Sequence, residues 1–146
     1  MNELLAVALV TLLPGIELRG SIPLGVALGV NPLEVFVTAV SVNLVIIPVC
    51  FFAFDKLWFL IEKIGIAKKV IEKTRRKARP YVEKYGFWGL LFFVAIPLPG
   101  TGAYTGSLAA WVLGIKFEKA LLPISLGVVI AGVLILLGSI GVLSIL

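Results

Sequence analysis

Apolar residues fill four blocks of the chain, 4–30, 33–54, 86–115 and 120–146, and polar residues gather at the joins between them. The second and fourth blocks meet the requirement of roughly 20 apolar residues for a bilayer-crossing helix. They predict spanning helices over 34–54 and 118–143. The first and third blocks are broken in the middle, at PGIELRGS (14–21) and PLPGTGAYTG (97–106). A run such as 3–13 makes only about 16 Å of helix, half of a roughly 30 Å hydrocarbon core, and the runs 22–30, 87–96 and 107–115 are shorter still. Each broken block therefore predicts a re-entrant hairpin that enters to mid-depth, turns at the polar break and leaves on the same side. Backbone at that depth must be buried in protein or face water, because lipid offers no hydrogen bonds.

Between the halves, Leu60, Ile64, Ala67, Ile71, Thr74, Ala78, Tyr81 and Tyr85 recur at steps of 4, 3, 4, 3, with Lys and Arg on the other faces. That period predicts an amphipathic helical connector lying at a headgroup surface or on another helix, kinked or ended at Pro80.

A shift of 85 positions lays the second half on the first: Pro14-Gly15 falls on Pro99-Gly100, Leu28-Gly29-Val30 on Leu113-Gly114-Ile115, and Ser21, Gly25 and Gly29 on Gly106, Ala110 and Gly114. Those small residues predict close helix–helix seats. A hairpin adds no crossing and each long helix adds one, so the second half inserts upside down: an inverted-topology repeat with its sites near the midplane. The expected fold is an all-α integral membrane protein, one transmembrane domain over 1–146. Half 1 spans 1–54 with tip 14–21, the basic connector spans 55–86, and half 2 spans 87–146 with tip 97–106.

Composition agrees: 60% of residues are hydrophobic and mean hydropathy is +1.14, too apolar for a soluble domain. Residues 55–87 hold ten of the thirteen Lys and Arg and four of the eight acids. We read this as a cytoplasmic loop obeying the positive-inside rule rather than a nucleic-acid surface. In the inverted arrangement Lys116 and Lys119 join it, leaving Arg19 as the one basic residue elsewhere. The expected location is the cell membrane, multi-pass, with the connector cytoplasmic and both termini on the opposite side. The start, Met1-Asn2-Glu3, has no basic n-region, so no cleaved signal peptide is expected. Cys50 is the single cysteine and histidine is absent, so no internal disulfide, metal site or cofactor is expected, and no nucleophile–base pair suggests an enzyme.

The chemistry lies at the tips. A charge near mid-bilayer costs roughly 2.5–3.5 kcal/mol even on the lenient insertion scale, so Glu17 and Arg19 need an explanation. Three remain open. The two neutralise each other and pin the turn; Arg19 forks onto an anionic headgroup, aided by the half-helix that begins near Gly20; or Glu17 is a proton-coupling site. The second tip offers the hydroxyls Thr101, Tyr104, Thr105 and Ser107. With Gly102, which allows close backbone approach, Thr101, Tyr104 and Thr105 complete a candidate substrate site opposite Arg19 and Gly20. Pro14, Gly15, Pro23, Pro97, Pro99 and Gly100 are the candidate tip breakers. Asn43, the one strongly polar side chain within 35–54, is a candidate support for a tip through an interhelical hydrogen bond. Trp58, Trp88 and Trp111 suit the interface belt.

PGIELRGSIPLGVALG and IPLPGTGAYTGSLAAWVLG resemble the archaeal and bacterial family of small multidrug export proteins, which looks like a compact relative of the DedA superfamily. The resemblance implies two facing re-entrant hairpins, transport of lipids including polyprenyl-phosphate carriers, and proton coupling. Many DedA relatives carry arginines near the prolines of the second tip; this chain has none there. The expected function is thus a transporter, flippase or scramblase moving a lipid or small amphiphile, an anionic carrier-lipid phosphate first, with proton coupling as the resemblance implies. The alternatives are a small cationic multidrug exporter with Glu17 as counter-charge, and a non-transporting membrane-organising protein. The expected partners are membrane lipid, the transported molecule and, because two spans shield the tips poorly, further copies of the chain, with no nucleic acid.

Overall fold

The computed structural model describes residues 2–146, and the described residues form seven helices and no strand. They are α1 (Glu3–Thr11), α2 (Glu17–Ala27), α3 (Pro32–Ile61), α4 (Gly65–Tyr85), α5 (Phe87–Ala95), α6 (Ala103–Val112) and α7 (Phe117–Ile145). The helix starts follow local chemistry. The Asn2 side chain accepts from Leu4 N–H at 3.0 Å to cap α1, and Asn31 does the same for Leu33 N–H at 2.9 Å to cap α3, with Pro32 at the first helical position.

The stops of α2 and α6 share one motif. Gly29 N–H donates to Val26 O and Val30 N–H to Gly25 O; Gly114 N–H donates to Trp111 O and Ile115 N–H to Ala110 O. Gly29 (φ 78°) and Gly114 (φ 75°) take the left-handed conformation this double bond requires, where a Cβ would be strained.

Neighbouring helices meet at small residues, which let backbones approach closely. α1 and α2 run antiparallel, with Thr11 Oγ1 2.6 Å from Ser21 Oγ. A Cβ on Gly25 would lie 2.7–2.8 Å from methyls of Val35 and Val7, so α1, α2 and α3 converge there. Gly127 of α7 packs on Leu91 and Val94 of α5, Gly132 packs on Phe36 and Val40 of α3, and Gly106 of α6 packs on Val94. Gly89 of α5 sits directly against the Tyr81 carbonyl of α4. Leu18, Ile22, Ile47, Leu90, Val94, Ile124 and Val128 form the buried centre.

α3 and α7 contain windows of mean hydropathy 2.5 and 2.7, yet only 44% and 39% of those windows are buried. Leu33, Val37, Val45, Val49 and Phe52 of α3, and Leu122, Leu126, Ile130, Leu134 and Leu137 of α7, face outward. A protein in water rarely exposes an apolar patch beyond a few hundred Å². At about 45 Å each, both helices are long enough to cross a bilayer, and the outer surface is that of a membrane protein.

Several boundaries differ from the sequence expectation. The first turn is 12–16, because α2 already begins at Glu17; the second is 96–102, because α6 begins at Ala103. Pro23 is therefore not a tip breaker. It lies inside α2 on an exposed face, where its ring removes one backbone bond and displaces no packed neighbour. The connector begins after α3 ends at Ile61 rather than at residue 55, and α4 runs through Pro80 to Tyr85 without a break. Of the connector stripe, Ile71, Thr74 and Ala78 are buried, whereas Leu60, Ile64, Tyr81 and Tyr85 are exposed.

Candidate functional site

The start of α2 faces the second turn, and its two charges meet helix ends of the other half. Glu17 has a positive φ of 51°, a conformation that costs a non-glycine residue about 1–3 kcal/mol and persists only where surrounding contacts impose it. Here its carboxylate reaches the start of α6. Oε2 accepts from Ala103 N–H at 2.9 Å and Oε1 from Tyr104 N–H at 3.4 Å. Gly102 precedes that helix and has no side chain to cap it, so Glu17 supplies the cap from the other half of the chain. Thr105 Oγ1 completes the arrangement by accepting from Gly102 N–H at 2.7 Å.

Arg19 performs the opposite task. Its Nη2 lies 3.2 Å from Val94 O, 3.4 Å from Ile96 O and 3.1 Å from Thr101 Oγ1, so the guanidinium donates to the end of α5 and to the turn after it. The Thr101 hydroxyl, which accepts from Arg19, lies 2.7 Å from Ile96 O and 2.8 Å from Leu98 O and ties the turn together. The anion thus sits at a helix N-terminus and the cation at a helix C-terminus, as the helix dipoles favour. Arg19 Nη1 and Glu17 Oε2 are 3.8 Å apart, and the side chains are only 14% and 4% exposed.

Tyr104 returns the contact: its hydroxyl donates to Leu12 O at 2.7 Å, at the end of α1. Under the shift of 85 positions Arg19 corresponds to Tyr104. Both donate to terminal carbonyls of the other half's first helix. Glu17 corresponds to Gly102, and a Cβ there would collide with both Glu17 carboxylate oxygens and approach Arg19 Nη1 at 2.8 Å. One half contributes the charges and the other the room for them.

The structure thus brings together Glu17, Arg19, Thr101, Gly102, Tyr104 and Thr105. Gly20 is spent elsewhere, its Cα face covered by Ile16. Pro14 and Gly15 lie in the first turn, and Pro97, Pro99 and Gly100 in the second. Asn43 is fully buried on α3, and neither its Nδ2 nor its Oδ1 has a partner among the described residues; the same holds for Ser107 Oγ. An unsatisfied buried polar group costs about 1–3 kcal/mol. Asn43→Leu is therefore expected to raise the thermal stability of the purified protein by an amount in that range, and a lower melting temperature would show that Asn43 is satisfied in the membrane by something else.

A second feature lies beside the tips. A cavity of about 650 Å³ opens between α4, α5 and the second turn. The periodicity of the connector did not single it out, since Tyr81 and Tyr85 read only as two positions of the apolar stripe. Charge spacing did not mark it either: Lys77 has no acid three or four positions away, but neither have Lys73 and Lys84, and Arg76 has Glu72 four before it. In the fold Arg75 pairs with Glu72 and Arg79 with Glu83, at 3.5 and 2.6 Å.

Two apolar helices of spanning length, an outward apolar surface and two interlocked helix breaks, one of them carrying the charges Glu17 and Arg19, define the class: a helical membrane protein with a polar site between its halves. The chain belongs to the family described as "Putative small multi-drug export protein", whose pattern matches residues 17–134, and that family description points to export across a membrane. Neither a curated protein nor a solved structure matches the chain.

Proposed function

We propose that this protein moves a small amphiphile across the cell membrane by opening and closing the contact between its two helix breaks, without making or breaking covalent bonds in the cargo. The observation that carries the reading is the crossed latch. Glu17 and Arg19 of one half hold the helix ends of the other, and Tyr104 holds the first half in return. A pair serving stability alone needs no such reciprocity between breaks in an apolar block.

In this reading α1–α2 and α5–α6 are re-entrant hairpins of an inverted repeat, akin to the DedA plan. Support comes from matched conformations at a shift of 85. Gly15 and Gly100 have φ of 86° and 78°, and the double-bonded glycine stops at Gly29 and Gly114 are the same. The two ends of the second hairpin also adjoin one cavity, which Phe87 and Ile115 both line. Protonation of Glu17 removes the counter-charge of Arg19 and weakens the cap on α6, which provides a route for a proton to release the latch. Copies of the chain would shield the tips from lipid by associating, and no nucleic acid takes part.

Two measurements test this. In a Cys50→Ser background, single cysteines replacing Asn2, Lys73 and Leu146 are labelled in sealed vesicles. We expect Lys73→Cys to react from the cytoplasmic side and the other two from the opposite side. Reaction of Asn2→Cys and Lys73→Cys from one side would overturn the inverted arrangement. In proteoliposomes, we expect the protein to move a fluorescent amphiphile faster than empty vesicles do, with a pH dependence that Glu17→Gln flattens. Rates equal to those of empty vesicles for anionic and cationic probes alike would remove the transport reading.

A further inference from the structure

We propose that the cavity between α4 and α5 is a binding site for an anionic phospholipid of the surrounding bilayer, its phosphate on Arg76 and Lys77 and one acyl chain along Tyr81, Phe92 and Phe93. The inference deepens the transport reading and rests on it for the role of the site, though not for its existence. Four observations carry it.

Charge comes first. Arg75 and Arg79 on the same helix are paired with Glu72 and Glu83, whereas Arg76 and Lys77, which line the cavity, have no ion-pair partner among the described residues. No acidic residue lines the cavity. Two free cations at the rim of an uncharged chamber select an anionic headgroup and disfavour a cationic drug.

Shape comes second. At about 650 Å³ the cavity falls within the range of roughly 300–1,000 Å³ typical of sites that enclose a drug-sized molecule. Its remaining walls are aromatic and aliphatic apart from Thr101, which suits a chain rather than a free ion. Phe92 and Tyr81 are more than half exposed, so the chamber opens sideways toward lipid.

Placement comes third. α4 is amphipathic, with Ile71, Thr74 and Ala78 buried and its basic residues outward, as for a helix at the headgroup level. Gly89 seats α5 against the Tyr81 carbonyl, which fixes the two walls relative to each other.

Connection to the latch comes fourth. Lys77 Nζ lies 3.7 Å from the point where a Cβ of Gly100 would be, so this cation reaches over the second turn. Thr101 lines the cavity and also accepts from Arg19. A lipid held here lies against Thr101, the residue that accepts from Arg19, so the chamber adjoins the latch.

The test is retention of lipid by the purified protein in detergent, read by native mass spectrometry with phosphatidylglycerol and phosphatidylcholine offered at equal concentration. We expect a preference for phosphatidylglycerol in the wild type. A Lys or Arg near a membrane surface contributes about 1 kcal/mol to attraction of anionic lipid, so Arg76→Gln/Lys77→Gln should lose about tenfold or more of that preference. The control Lys63→Gln/Lys84→Gln removes equal charge at exposed positions that line neither this cavity nor the groove that Arg76 and Lys77 share with Lys68 and Lys69 and should retain it. Equal loss in both double variants would reduce the effect to general surface charge and overturn the proposal. So would equal retention of the two lipids, competition by glycerol 3-phosphate as strong as by the intact lipid, or displacement by a cationic dye. Binding is read without transport. Selective lipid retention in a protein that transports nothing would sink the transport reading and leave the site; transport without selective retention would do the reverse.

Discussion

Glu17→Gln and Arg19→Gln should each destabilise the protein by about 3–5 kcal/mol, and the double replacement should recover much of the loss, because a buried charge left without its partner costs far more than an absent pair. Both side chains are nearly buried, and each is balanced by the other and by a helix end of the opposite half. Glutamine at 17 keeps an acceptor for Ala103 N–H but loses the charge that faces both Arg19 and the positive end of α6. Glutamine at 19 loses the charge and the reach of Nη2, which donates toward Val94 O, Ile96 O and Thr101 Oγ1. Arg19→Lys, with a point charge in place of a planar fork, should fall between. Denaturant titration of the four variants in one detergent measures the coupling. Simple additivity of the two single losses would show that the charges act independently and that the latch is not a unit. If the double variant is stable but does not transport, the charges serve opening as well as closure.

The second large effect is expected at Gly102. Its φ of −174° is extended backbone open to any residue, so the requirement is one of space. A Cβ would meet the two Glu17 oxygens and Arg19 Nη1 at once. Overpacking of this kind typically costs about 1–3 kcal/mol, and Gly102→Val should reach the top of that range because it also pries the carboxylate from the start of α6. Gly15→Ala is the contrast, since nothing lies within 4 Å of its added Cβ and only the positive φ opposes it. That cost should be about 1 kcal/mol. Melting temperatures of the two variants decide the matter: equal losses would mean that the close approach at Gly102 yields easily. Gly102→Val combined with Glu17→Ala should lose less than the sum of the two single losses, because two of the three colliding atoms have gone while Arg19 is left without its counter-charge.

Much of this architecture could be read along the chain because bilayer physics acts on composition. Two apolar runs of spanning length, two runs broken by proline, glycine and charge, and a basic amphipathic link are each local features. α3, α7, α4 and both breaks follow from them. The Pro-Gly pairs and the glycine stops were visible for the same reason, since their conformational demands are met within a few residues. Helix ends were less legible. Pro23 and Pro80 look like breaks, but a helix already held by its neighbours loses only one bond at each.

The destinations of the charges were not local at all. Sequence distance says that Glu17 and Arg19 are neighbours and invites a simple pair, whereas their shortest contacts are with residues 75 to 87 positions away. Only the folded chain could decide that Gly102 is empty because Glu17 fills its place, or that Thr101 belongs both to the latch and to the chamber beside α4. The chamber walls come from separate helices, and Tyr81 faces it rather than the core because Gly89 seats α5 so closely on that part of α4. Hydropathy along one helix reports how much of it is apolar; which apolar face a neighbour covers is set by the packing of the other helices.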